Sequence, residues 1–271
     1  MRIRVSHQIV HRFSPPARTV NQILRLTPLS FDSQYVLRWR LDVDADGALR
    51  ETEDAHGNVL TSYSHYGPIE RVTISASGEV ETGDAAGVVK GAAERLPAEM
   101  YLRESPLAHA NAALRGFAAE AMQSAAGPLD SMHRLMAALH TTIARQPDET
   151  DAAGSAIEAF ALRRGHGRDF AHIFIACARW RGIPARFVSG YRVADEWGQA
   201  GAHEWAEAFV PDFGWVAFDA SAPICPDDRY VRVAIGFDGQ DAAMIRSAHR
   251  GGDEKVETAI QVEQARAQSQ A

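Results

Sequence analysis

The chain has 271 residues, 46% hydrophobic and 23% charged, with 28 basic and 35 acidic side chains and a net charge of −7. That is the composition of a globular protein of one large or two small domains, with apolar residues enough for a sizeable core. It argues against nucleic acid as a partner, because binding phosphates needs a basic footprint. Cys177 and Cys225 are too far apart for a CxxC or zinc spacing and read as free buried thiols of a reducing cytoplasm. The opening MRIRVSHQIVHRF holds no apolar run of signal-peptide length, and no stretch reaches the ~18 apolar residues of a membrane span. A cytoplasmic protein with no membrane partner is expected.

The first 82 residues read as β. Ile3, Val5, Ile9 and Phe13 fall on odd positions and Arg2, Arg4 and Arg12 on even ones, the two-residue period of a half-buried strand. Tyr35, Leu37, Trp39, Leu41 and Val43 repeat the alternation, as do Val72, Ile74 and Ala76. Between them, Asp54-Ala55-His56-Gly57-Asn58 is a turn signal. Residues 83–98, rich in Gly and Ala, read as a linker.

Helical spacing then takes over. One helix is predicted over roughly 107–122. A second, capped by Asp130, gathers Met132, Leu135, Met136, Leu139 and Ile143 on one stripe. Ser155 caps a short third helix ending near Gly165. A fourth, from about residue 168, carries Phe170, Ile173, Phe174, Cys177 and Trp180 at i, i+3, i+4, i+7 spacing and stops at Gly182 and Pro184. Four strand-like runs follow at 185–192, 203–210, 214–220 and 230–237, and the polar EQARAQSQA reads as a frayed end. The division is an N-terminal β domain over 1–85, a core over 100–221, and C-terminal strands with a tail over 222–271.

The chemistry concentrates in GHGRDFAH (165–172), HEWAEAF (203–209) and GWVAFDAS (214–221). The start of a helix is where a thiol is best activated, because unpaired N–H groups and the positive dipole end stabilise a thiolate. An imidazole completes such a pair, and a carboxylate orients the imidazole. Strands joined by the short turn at Pro211–Gly214 would bring His203 and Asp219 together.

These segments resemble the bacterial transglutaminase-like proteins, which share the papain-type fold. There the helix opens like G-x-C-[RQ]-D-F-A-H and the strands read like H-A-W-A-E-V and G-W-x-x-F-D. PDDRYVRVAIG and the N-terminal β region also look like the long bacterial form. The resemblance implies an α+β protein: an N-terminal antiparallel β domain, then a papain-like transglutaminase core. It matches His203 to the catalytic histidine and Asp219 to its orienting aspartate, with Arg168, Asp169 and Trp205 as neighbours. Gly167 stands where the nucleophilic cysteine would be. Losing the nucleophile costs subtilisin about 2 × 10⁶ in turnover, or roughly 8–9 kcal/mol of barrier.

Cys177 lies ten residues along the same helix from Gly167, about 15 Å away at ~1.5 Å per residue, and on its apolar stripe. Cys225 has no helix dipole behind it. Asp169 in the first helical turn reads as a carboxylate favouring the dipole, and His172 as a core-rim residue. His166, Asp169 and His172 converge poorly around a helix, so no metal and no cofactor is expected. Trp205 and Trp215 read as core and groove-wall aromatics. The implied partner is a peptide or protein. Four functions compete: a peptide-binding domain that has lost its nucleophile, a working acyl transferase or amidohydrolase in which Gly167 is a variant, slow water-mediated hydrolysis by a His203–Asp219 base, and a scaffold module.

Overall fold

A computed structural model describes residues 1–146 and 154–265. The sequence alternation at the N-terminus extends into two very long antiparallel strands, β1 (Arg2–Leu24) and β4 (Val59–Thr82). Two shorter strands, β2 (Gln34–Asp44) and β3 (Ala48–Glu53), pair in tandem along the outer edge of β4. Pro15 and Pro16 sit in β1 where its pairing with β4 slips register, as residues without N–H must. β2 departs from its sequence pattern for a similar reason. A bulge between Val36 and Arg38 inserts Leu37 as an extra residue, so Tyr35 and Leu37 point out while Trp39, Leu41 and Val43 stay half-buried.

The linker expected over 83–98 contains β5 (Val88–Val89), the edge strand of a second sheet. A short 3-10 helix over Ala98–Leu102 follows, then α1 (Ala112–Ala121), capped by the Asn111 side chain, and α2 (Pro128–Thr142). α2 begins two residues before Asp130, because Pro128 at its first position has a preset φ; Gly127 is the cap residue, and Asp130 lies in the first turn. Its stripe of Met132, Leu135, Met136 and Leu139 is buried as the spacing predicts. β6 (Ala144–Arg145) and β7 (Arg164–Gly165) make a two-residue parallel pair around α3 (Ala156–Leu162), whose Ser155 cap accepts from the Glu158 amide.

α4 (Gly167–Trp180) is buried along almost its whole length, and Gly182, at φ +77°, ends it. It packs on the sheet β11-β8-β9-β10-β5, built from β8 (Ala185–Arg192), β9 (Gly201–Val210), β10 (Gly214–Phe218) and β11 (Tyr230–Gly236). Phe170, Ile173, Phe174 and Cys177 of α4 join the α1 and α2 stripes and Ala206, Ala208 and Phe218 in one core.

The described part of the C-terminal segment, 222–265, divides between the two sheets. β11 completes the core sheet, whereas β12 (Ile245–Arg250) and β13 (Asp253–Gln264) return to pair in tandem with the free edge of β1. The reading of EQARAQSQA as frayed is corrected at Glu263 and Gln264, which are paired in β13; residues 266–271 lie outside the described residues. No helix among the described residues is long and apolar enough to cross a membrane.

Because β13 and β12 cover one edge of β1 over Ile3–Ser14 and Thr19–Leu24, removing residues 245–271 leaves a long strand with unpaired N–H and C=O groups. The truncated chain is expected to aggregate or dimerise on size-exclusion chromatography; a monomer with unchanged thermal unfolding would show that the return strands are dispensable.

Candidate active site

The entry into α4 is held by its own residues. Asp169 is fully buried, and its Oδ2 accepts the His166 backbone amide at 2.9 Å, so the carboxylate lies back over the first turn. A Cβ on Gly165 would lie 2.6 Å from Asp169 Cβ, so only glycine allows that turn. The sequence-based role of Asp169 as a first-turn carboxylate agrees with this geometry.

Gly167 is the first residue of α4, and its φ is not in the left-handed region, so the backbone does not require glycine. The packing is another matter. A Cβ there would lie 3.1 Å from the Glu204 carbonyl oxygen, 3.1 Å from His203 Cε1 and 3.3 Å from His203 Nδ1. A side chain therefore fits only if the helix start and β9 separate by a few tenths of an ångström.

His203 opens the buried part of β9. Its Nδ1 faces Gly167, and its Nε2 meets Asp219 Oδ2 at 2.5 Å. The register of the β9–β10 hairpin produces this contact: Phe218 lies opposite Ala206, so Asp219, one residue on, reaches His203 on the diagonal. The Trp205 ring stacks on the imidazole with centroids 6.3 Å apart.

Asp219 is 1% exposed yet well supplied with donors. The Ser221 hydroxyl and amide donate to Oδ1 at 2.6 and 3.0 Å, and the Tyr230 hydroxyl donates to Oδ2 at 2.9 Å. Burial alone would raise its pKa, but His203, Ser221 and Tyr230 outweigh burial and hold it well below the usual carboxylate range. Arg192, itself buried, comes within 3.5 Å of Oδ2. Tyr230, Ser221 and Arg192 were not singled out from the sequence. Ser221 carried a usable signal, since a serine two residues after an aspartate suits a local side-chain turn; Tyr230 and Arg192 arrive from β11 and β8, neighbouring strands whose register sets them opposite each other.

The other expected residues divide between the site and its surroundings. Trp205, 2% exposed, stacks on His203 and packs into the core, and Trp215 lies with its ring centroid 3.8 Å from the Arg186 guanidinium carbon. Arg168 is exposed beside a cleft, not inside the His203–Asp219 pair. His172 is fully buried instead of at the core rim; its Nε2 accepts the Gly239 amide at 2.9 Å, and burial pushes its pKa down to about 4. Cys177 is buried within the helical core, and burial pushes its thiol up to about 12. Cys225 packs against the same core, and burial pushes it up to about 11. Neither thiol is activated.

Behind Trp205 on the same strand lies a buried ion network. Glu207 is fully buried and accepts from Arg186 Nε at 2.6 Å and Arg232 Nε at 2.7 Å; Arg186 also donates to Glu94. Burial raises the Glu207 pKa, but the Arg232 and Arg186 charges overcome it and hold it at about 2.

Residues 115–220 match the transglutaminase-like superfamily core, and residues 3–81 match the bacterial transglutaminase-like N-terminal region. The chain therefore belongs to the bacterial transglutaminase-like family. A solved structure from Cytophaga hutchinsonii, provisionally described as a cysteine protease, shares the fold at a TM-score of 0.78 and 20% identity, covering 97% of this chain and 90% of that one. An uncharacterised protein of Mycobacterium tuberculosis is 26% identical over 272 residues, covering 90% of this chain and 86% of its own length. An uncharacterised protein of Mycobacterium leprae is 25% identical over 265 residues, covering 92% and 94%.

The Glu207 pKa is depressed by folding from an ordinary 4.5 to about 2, so its contribution to stability is complete above the ordinary value and is lost as pH falls through about 2. The thermal midpoint is expected to drop between pH 4.5 and 2, and Glu207→Gln is expected to be less stable at neutral pH with a shallower acid slope, followed by circular dichroism. An unchanged slope would assign the acid loss to other carboxylates.

Proposed function

We propose that this protein is a transglutaminase-like domain that keeps the histidine–aspartate half of a Cys–His–Asp arrangement and, with glycine at 167, binds amide-bearing peptides without acyl transfer. The observation that carries this reading is the orientation of His203. One ring nitrogen is held by Asp219 at 2.5 Å, and the ring edge that carries the other, Cε1 and Nδ1, lies against the first residue of α4. Since a carboxylate only accepts, Nε2 bears the proton and Nδ1 presents its lone pair to residue 167. A thiol there would have a base beside it and the helix N-terminus beneath it. Glycine offers nothing to deprotonate. Two free cysteines support a reducing, cytoplasmic setting.

One observation favours a second reading, in which Gly167 replaces a natural cysteine and the protein is an acyl transferase or amidohydrolase. The donors around Asp219 are complete, with Tyr230 and both groups of Ser221 in place. Cysteine and glycine codons can differ by one base, and resequencing the source gene decides between the two.

The site itself is tested with Gly167→Cys. The wild-type protein should react with iodoacetamide only slowly, because burial suppresses both of its thiols. The variant should label at one additional site at pH 7, at least tenfold faster, and lose that reactivity when His203→Ala is added. It should unfold at a slightly lower temperature, since the new Cβ must displace β9. Labelling no faster than wild type would mean that the His203 arrangement does not activate a thiol.

A further inference from the structure

A cleft of about 470 Å³ lies between the inner face of the N-terminal sheet and the core. His7, Ile9 and His11 of β1 form one wall, and Arg168, Phe187 and Glu204 form the other. Arg168 directly follows Gly167, and Glu204 directly follows His203 in β9, so the cleft runs past the start of α4, although Gly167, His203 and Asp219 do not line it. Met244, Ile245, Val256 and Ile260 make most of the remaining lining apolar. Volume and lining suit a small organic or peptide ligand.

The charges in the cleft exclude an anion as the ligand of choice. Arg168 stands against Glu204 and Glu254, and burial pushes His7 down to about 4, leaving it neutral. The polar groups are more selective. His11 is 2% exposed, and its Nδ1 meets Glu254 Oε1 at 2.7 Å. The carboxylate only accepts, so Nδ1 carries the proton; in the neutral ring Nε2 is a lone-pair acceptor, and it has no partner among the described residues. It therefore lacks a donor. Nε2 is itself buried, so a donor reaches it only where the lining gives way; Val256, opposite His11 in the β1–β13 register and 49% exposed, is the half-exposed side chain beside it. His7 and His11 share a strand face four residues apart, about 13 Å at ~3.3 Å per residue, with Ile9 between them.

We propose that this cleft binds an extended, uncharged peptide segment, with an apolar side chain over Ile9 and a peptide N–H donated to His11 Nε2. Resting on the reading of the protein as a peptide-binding transglutaminase-like domain, it names the class of segment: apolar side chains, neutral amides, no carboxylate in the cleft. The N-terminal sheet then supplies half of the binding surface.

The test is a titration of the full-length protein with N-acetyl-leucyl-leucinamide, a neutral capped dipeptide, followed by calorimetry and by the ring-nitrogen resonances of the histidines. The expected result is saturable binding that shifts His11 Nε2 toward the hydrogen-bonded acceptor range. Binding should weaken at least fivefold in His11→Phe and at least tenfold in Val256→Trp, which covers the cleft from a half-exposed position. N-acetyl-leucine, with its free carboxylate, should bind at least tenfold more weakly than the capped dipeptide. No saturable binding, equal binding of the anionic probe, or affinity unaltered in both variants would overturn the proposal. Thiol activation in Gly167→Cys is scored separately, so a reactive thiol with no peptide binding defeats only the cleft, and peptide binding with an inert thiol defeats only the reading of residue 167.

Discussion

The start of α4 presses against the start of β9 so closely that a side chain at residue 167 requires the two to part by a few tenths of an ångström. Three atoms crowd the position, two from an imidazole and one a main-chain oxygen. The imidazole is pinned by Asp219 and Trp205, and the oxygen belongs to a central strand, so neither yields freely. A glycine here lets the helix start and the sheet approach closely.

The His203–Asp219 pair persists under that closure because its buried charge is satisfied. An unpaired buried carboxylate would be costly, but four hydrogen bonds and a nearby guanidinium offset its desolvation. The same solution recurs two turns of the pleat away, where Glu207 sits between two arginines. β9 thus carries alternating commitments: His203, Trp205 and Glu207 to one side, with Ala206 and Ala208 against α4 on the other. Small alanines on the helix side are what allow α4 to approach.

The N-terminal sheet takes part in the core's architecture as well as preceding it in the chain. Asn58, from the turn that the sequence marks, exchanges two hydrogen bonds with the Ile235 backbone of β11, and His56 from the same turn contacts Asp241 at 2.6 Å. His7 reaches Tyr191 on β8 at 2.9 Å. The return of β12 and β13 to β1 then ties the end of the chain to its beginning. Together these contacts set the walls of the interdomain cleft.

The sequence by itself determined the pieces whose signals are local. Hydrophobic period and the breakers Gly182 and Pro184 defined α4 and the strand at Ala185–Arg192; the GHGRDFAH, HEW and GWVAFD motifs located Gly167, His203 and Asp219. These survive inspection of one chain segment at a time because dihedral preference and side-chain period act over a few residues. Tertiary structure alone decided the rest: the bulge at Leu37, the edge strand inside an apparent linker, the return of residues 245–264 to β1, and the convergence of Tyr230, Ser221 and Arg192 on Asp219. Strand pairing joins residues far apart in sequence, and no local pattern records which edge a strand will find or how near a helix will come to it. That nearness, a few tenths of an ångström at Gly167, makes the glycine a packing commitment.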